Sequence, residues 1–312
     1  MIIQDMNLPD LAPPVTAADL NGATPLTELG IIRVAGDEAA KFLQGQLTQD
    51  VVLMKWGESR LAALCNPKGR MLASFWAIKS AENEILLVCG RDLLARTLKR
   101  LSMFVLRAKA KLSDATEEFA IHGLMGDAVL HAGSPSAGVF LCPLAPADGV
   151  ARALRVAPID APTPSPPQLD TVVWNWAEVR SGVAMVSLPV MEAFVPQMLN
   201  YETVGGVNFK KGCYPGQEVV ARSQFRGAIK RRAFVAQVNG LAQAGQEIFS
   251  AADPEQPCGI VALAAPAPEG GTAVIASLQL TALEGVEMLT VGAPDGPALT
   301  GWNIPYELLE DI

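Results

Sequence analysis

Lys211-Gly-Cys-Tyr-Pro-Gly-Gln-Glu218 is the stretch on which the reading of this chain turns. It cannot be one regular element. Pro215 fixes φ and lacks a donor, and Pro-Gly suits the two central positions of a type II turn, the second of which needs positive φ. Gln217 to Phe225 then reads as a helix, so Cys213 falls just before a helix N-terminus, with Lys210 and Lys211 close by. A helix dipole and a neighbouring cation both favour thiolate over thiol, which makes Cys213 a candidate reactive cysteine. A free cysteine is also commonly a small buried hydrophobe, and spacing alone leaves both readings open.

Outward from this stretch the charge reverses sign. Residues 210–232 hold seven basic side chains (Lys210, Lys211, Arg222, Arg226, Lys230, Arg231, Arg232) against one acid, Glu218. Residues 91–111 hold seven more (Arg91, Arg96, Lys99, Arg100, Arg107, Lys109, Lys111) against Asp92. Each segment is +6, while the 312-residue chain, with 24 Lys+Arg and 32 Asp+Glu, is −8, leaving −20 for the remainder. That balance argues against a general nucleic-acid binder, whose footprint is a basic surface. An apolar fraction of 50% excludes a disordered chain. At roughly 100–200 residues per domain the length suggests two or three domains.

Five cysteines, widely spaced and without a C-x-x-C pair, exclude a disulfide scaffold, and the two histidines, His122 and His131, write no zinc signature. No metal site is expected. The first basic residue is Arg33, so there is no positive leader region, and no unbroken apolar run reaches the ~18 residues of a membrane helix. A cytoplasmic protein without a membrane contact is expected. Nothing resembling a heptad or a long apolar edge calls for an oligomer, so the expectation is a monomer.

The first 25 residues, rich in Pro, Asp and Ala, read as an irregular lead-in. Strands are expected at 30–35, 60–65, 70–78, 84–89, 108–112, 119–124 and 139–141, with Asn66-Pro-Lys-Gly69 as a hairpin turn. A helix is expected over 37–44 with Asp37 as its cap, and another over 92–105, where Leu94, Leu98, Leu101 and Val105 share one face and the basic residues turn outward. The five prolines in Ala157–Gln168 predict a stiff surface loop, and an amphipathic pattern resumes over 174–182. From Ala233 onward short β-like runs (234–238, 247–249, 259–263, 272–278, 286–291) alternate with Gly/Pro turns, predicting a small all-β domain. Helices and strands without a glycine-rich nucleotide loop indicate an α+β fold.

The 211–218 stretch resembles the K-G-C-[YF]-x-G-Q-E signature of the YgfZ family of folate-binding proteins, relatives of the glycine-cleavage T-protein. Phe42-Leu-Gln-Gly-Gln-Leu-Thr48, Leu64-Cys-Asn-Pro-Lys-Gly-Arg70, Phe194-Val-Pro-Gln-Met-Leu-Asn200, Arg226-Gly227, Lys230-Arg-Arg232 and Pro305-Tyr306 resemble family segments in the same order. The likeness runs from about residue 28 to the C-terminus. It implies a three-lobed ring: residues 1–230 as a folate-binding, T-protein-like region of two intertwined α/β lobes (the inner one approximately 50–135), and 231–312 as a C-terminal β-barrel. It implies a central cavity for tetrahydrofolate or a related reduced folate. The implied role is an accessory factor in assembly or repair of iron–sulfur proteins, affecting tRNA modification. Partners would be iron–sulfur assembly factors or client iron–sulfur enzymes, with any tRNA contact indirect. By the same resemblance Cys213 is the functional thiol, and Lys211, Gly212, Tyr214, Gly216, Gln217, Glu218, Arg222 and Arg226 are the candidate folate contacts.

Two departures qualify the likeness. T-protein relatives carry a pair of acids where this chain has Ala73 and Ser74, and a transferase can hardly lose its carboxylate base. A folate-dependent one-carbon transferase of the aminomethyl type is therefore the second reading, and glycine cleavage is not expected. Family members also often place Glu in the segment 176–182, where this chain shows Arg180. Among other residues, Tyr214 and Phe209 are candidates to stack on a pterin, Lys68 and Arg70 to meet an anionic tail, and Trp56, Trp174 and Trp176 read as core or cavity wall.

Overall fold

The computed structural model describes residues 19–132, 138–165, 167–227, 229–284 and 288–309. In chain order the first part forms β1 (Gly22–Pro25), β2 (Leu29–Ala35), α1 (Ala39–Gln44), β3 (Ser59–Cys65), β4 (Met71–Ala81), β5 (Glu84–Gly90), α2 (Arg91–Ser102) and β6 (Lys111–Asp114). Five of these strands make one antiparallel sheet, in the order β3-β4-β5-β2-β6. Its hairpin is set by Asn66: the backbone carbonyl accepts from Gly69 N at 2.9 Å, and Oδ1 accepts from Lys68 N and Arg70 N. α2 seals the sheet with Leu93, Leu94 and Leu101, all buried, while its charged face stays in water.

A second antiparallel sheet has the order β1-β7-β9-β8, with β7 at Phe119–Met125, α3 at Asp127–Leu130, β8 at Phe140–Ala147 and β9 at Val150–Pro158. α4 (Thr171–Arg180) packs on it, started by Asp170, whose carboxylate accepts from Val172 N at 2.8 Å. The closest approach is at Gly123, where a Cβ would stand 2.7 Å from ring carbons of Trp174. Only glycine lets that indole lie flat on the sheet.

α5 (Gln217–Phe225) leads into the last unit, a closed antiparallel barrel of six strands. These are β10 (Arg231–Val238), β11 (Glu247–Ser250), β12 (Asp253–Pro266), β13 (Thr272–Gln279), β14 (Leu289–Val291) and β15 (Ala298–Asn303), paired around the barrel as β10-β13-β12-β11-β14-β15. Closure leaves the barrel no free edge. Val238, Ile248, Val261, Val274 and Leu299 fill it. Two devices join the barrel to the rest. Arg232 at the start of β10 pairs with Glu202, both buried. Beyond β15, the Tyr306 hydroxyl donates to Gly182 O at 2.9 Å and lies 3.2 Å from the Asn200 amide nitrogen.

The fold is the expected α+β arrangement of two sheet lobes and a C-terminal barrel, with local differences. β1 falls inside the segment read as an irregular lead-in, pinned by Ala23 N to Pro167 O at 3.0 Å; residues 1–18 lie outside the described ones. β9 was not expected because its pattern is broken by Arg152, which points into the core rather than out, being 2% exposed. α2 stops at Ser102, three residues early, and the chain then turns so that Val105 packs inward from a loop. Glu38, not Asp37, holds the cap position of α1, and β6 starts at Lys111, where a strand over 108–112 was expected. The final strand reads as 289–291, residues 285–287 lying outside the described ones, and β15 carries no alternating pattern that would announce it.

Candidate functional site

The signature loop is built as its residues dictate. Gln217 N donates to Tyr214 O at 3.2 Å, closing a turn with Pro215 and Gly216 at its centre. Gly216 has φ +81° and ψ 0°, the values a type II turn requires, and a Cβ there would be 2.4 Å from Asn66 O. Glycine is thus fixed twice over, by conformation and by contact with the β3–β4 hairpin. α5 then begins at Gln217, as read from sequence.

Within this loop the side chains divide between anchors and free groups. Lys211 is buried, and its ammonium donates to the carbonyls of Gln44 and Leu47 at the C-terminal end of α1, the latter at 2.6 Å. It also stands 4.9 Å from the centre of the buried Tyr214 ring. Burial lowers the Lys211 pKa to about 8, with Asp50 and Cys213 acting in the opposite sense, and burial pushes the Tyr214 hydroxyl up. Cys213 itself is exposed. Cys65, Cys89 and Cys142 are buried thiols pushed up to about 12 by desolvation, and Cys258 is buried and raised as well. The small-buried-hydrophobe reading therefore describes those four and does not describe Cys213.

The other candidate contacts are also distributed. Gly212 is exposed with nothing near its Cα face. Glu218 and Arg222 pair with each other across one helical turn at 2.5 Å, and Arg226 is exposed at the end of α5. Gln217 is half-buried at the helix start. Phe209 makes an edge-to-face contact with Phe225 at 5.2 Å, which occupies the ring expected to stack on a pterin. The basic segment 210–232 is not one positive patch, because Lys211 and Arg232 are buried structural cations and Arg222 is paired. Arg70 is committed to Ala193 O, and Trp56 is an exposed side chain, 55% accessible, set edge-on to Phe140.

The three lobes meet elsewhere, around a cavity of about 570 Å³. Its wall takes Trp76 from β4, Asp92 from α2, Leu154 from β9, Trp174 and Glu178 from α4, and Leu263 from β12. A second cavity of about 530 Å³ lies on the far side of Trp76, reaching Arg60, Gly205 and Tyr306. A narrow gap lined by Arg152, Glu178 and Ser181 lies between them. Neither cavity is lined by any residue from 211 to 226.

The central cavity is mainly apolar and carries a few convergent polar groups, the usual character of a small-molecule site. Glu178 Oε1 pairs with Arg152, whose guanidinium lies 4.4 Å from the Trp174 ring centre. Burial lowers the Arg152 pKa to about 9, and its Nε has no partner among the described residues. Glu178 Oε2 and the Asn175 amide accept or make no hydrogen bond among the described residues, so both are available to a ligand. Sequence reasoning missed Arg152, Asn175 and Glu178. Of these, only Glu178 lies in a stretch singled out from sequence, 176–182, two residues before Arg180. Arg180 itself turns away and grips Asp148 with two nitrogens, at 2.7 and 2.9 Å.

Ala73 and Ser74 are buried in β4. Ser74 Oγ accepts from Val186 N at 2.8 Å, so its hydroxyl is committed to the cavity wall. Among the described residues no group of three or more His, Cys, Asp or Glu side chains is arranged to hold a metal ion, and no helix is long and apolar enough to cross a membrane.

Comparison with known proteins agrees with this fold. The model of the GCVT N-terminal domain matches residues 21–132. A Haemophilus influenzae protein described as uncharacterized is 31% identical over 226 residues, covering 72% of this chain and 76% of its own. The tRNA-modifying protein YgfZ of Edwardsiella ictaluri is 30% identical over 254 residues (71% and 73%), and that of Colwellia psychrerythraea 30% over 227 residues (67% and 69%). Among solved structures, glycine cleavage system aminomethyltransferase T from Bartonella henselae superposes with a TM-score of 0.66 over 96% of this chain and 92% of that one, at 14% identity, and so shares the fold.

Proposed function

Because the chain belongs to the YgfZ family within the GcvT-like superfamily, we propose that it is a folate-binding accessory factor for the assembly or repair of iron–sulfur proteins, through which it affects tRNA modification. The observation that carries the folate half is the central cavity. Its volume of about 570 Å³ suits a ligand of that size, and its wall sets two indoles, Trp76 and Trp174, beside the free oxygen of Glu178 and the amide of Asn175. A pterin has a flat face and an edge of guanidine-like N–H donors. Trp76 would take the face, while Glu178 Oε2 and Asn175 would take the edge, in a site from which the apolar walls exclude water. A bound reduced folate supplies a one-carbon carrier or a readily oxidised ring; the protein's residues bind and orient it.

Titration calorimetry with tetrahydrofolate tests this directly. Binding is expected, weakened at least tenfold by Asn175→Ala or Trp76→Leu in variants that still melt cooperatively. Absence of heat with the unmodified protein would remove the ligand from the proposal.

Cys213 is the second element of the reading, an exposed thiol on a rigid loop whose neighbours are spent on holding it. In cells lacking the native gene, a Cys213→Ala protein is expected to leave iron–sulfur enzyme activity unrestored. Full restoration by that variant would show that the thiol has no part in the role. The transferase reading is disfavoured by β4, where Ser74 is tied to Val186 and no carboxylate stands.

A further inference from the structure

The segment 91–111, the second basic island, is not absorbed by the cavity or by the Cys213 loop. Arg91 pairs with Glu117, but Arg96, Lys99, Arg100 and Arg107 make no ion pair among the described residues. Arg96, Arg100 and Met103 fall at helical i, i+4, i+7 spacing, so they line one side of α2 and its C-terminal turn. Beyond the helix the chain presents Met103, Phe104 and Leu106, which are 56%, 48% and 89% exposed. This tip is preformed. Phe104 N donates to Leu101 O at 3.0 Å, Ala108 N to Val105 O at 3.0 Å, and Val105 packs against the core from the middle of the turn. Arg100 lies 5.7 Å from the Phe104 ring centre and ties the basic side of the helix to the apolar tip.

We propose that this surface, formed by Arg96, Lys99, Arg100, Met103, Phe104 and Leu106, docks an acidic protein segment that carries an apolar anchor residue. Charge complementarity selects the occupant. Arg96, Lys99 and Arg100 are three cations without an ion pair among the described residues, on a chain of net charge −8, so they favour an acidic partner small enough to meet them without facing the acidic remainder. An extended polyanion, whether a tRNA or an anionic bilayer, spans many times the roughly 8–10 Å over which salt screens charge and so meets the remainder as well. Met103, Phe104 and Leu106 offer the apolar ground on which the partner's anchor residue would rest, with Phe104 held in place beside Arg100.

The test uses fluorescence anisotropy with the full chain and a labelled 18-residue helical peptide of Glu with Leu at i, i+3 and i+4 spacing. Total tRNA and phosphatidylglycerol vesicles are run in parallel. Expected is binding of the peptide that weakens with added salt and falls at least tenfold in Leu106→Asp and, separately, in the triple variant Arg96→Glu, Lys99→Glu, Arg100→Glu. Leu106, Arg96 and Lys99 are exposed and Arg100 is partly so, and unchanged circular dichroism melts confirm that the variants fold. No peptide binding, or binding indifferent to either variant, overturns the proposal. So does tighter binding of tRNA or of vesicles that is lost in the same variants.

Discussion

The central cavity and the Cys213 loop are the two chemically distinctive regions of this molecule, and they are constructed on opposite principles. The cavity is assembled from all three lobes, with Trp76, Glu178 and Leu263 brought together from β4, α4 and β12. Its polar residues serve twice, since Glu178 both faces the cavity and neutralises the buried Arg152. The loop is one continuous segment in which the duties are separated. Lys211 and Tyr214 are buried and hold it, while Cys213 is exposed and holds nothing. A substitution in the cavity should therefore disturb stability and ligand together, whereas in the loop the two effects should come apart.

That contrast can be broken most sharply at Glu178. Glu178→Ala strands a guanidinium that is 2% exposed, and loss of one member of a buried pair costs about 3–5 kcal/mol. Urea denaturation should show a drop of that order; a loss below about 1 kcal/mol would mean the pair is not what holds the wall. Lys211→Met comes next. It removes the donor from two carbonyls at the end of α1, at a cost of about 1–3 kcal/mol in the same measurement.

The pH dependence of Lys211 gives a finer distinction. Its pKa is lowered in the folded state, to about 8 from 10.5, so between those values the unfolded chain binds more protons than the folded one. The Lys211 contribution to stability therefore rises as pH goes from about 8 to 10.5, and is least favourable below 8. Denaturation midpoints across that window should climb more steeply for the unmodified protein than for Lys211→Met; parallel slopes would contradict the assigned burial. The smallest effect belongs to Cys213→Ser, expected to shift stability by no more than about 0.5 kcal/mol, as for an exposed side chain without partners among the described residues. A larger loss would show that the loop does not separate its duties after all.

The same contrast explains what could be read from sequence. A local motif states its own geometry, so Pro215-Gly216 announced the turn, Gln217–Phe225 the helix and the alternating runs after Ala233 the barrel. The fold class followed from these elements and from the family resemblance. The cavity was illegible because no local pattern marks Arg152 or Glu178: an arginine in a strand reads as solvent-facing, and only the packing of β9 against α4 shows that it points inward. Charge counting failed for a related reason. The +6 of residues 210–232 is not the charge of one surface: Arg232 is spent on Glu202 at the barrel joint and Lys211 on α1, so a sum over sequence mixes core with exterior.

The contact between Tyr306 and Gly182 also sets a timetable. The two residues are 124 positions apart, and Tyr306 forms part of the second cavity's wall. At synthesis rates of about 5–20 residues per second, Gly182 waits roughly 6–25 s on the ribosome before its partner is even made. Through that interval the second cavity is open on one side, and any factor that helps the newborn chain has its longest opportunity there. Ribosome-bound chains arrested before position 305 should accordingly be cut by protease near Gly182 far faster than chains arrested well beyond it.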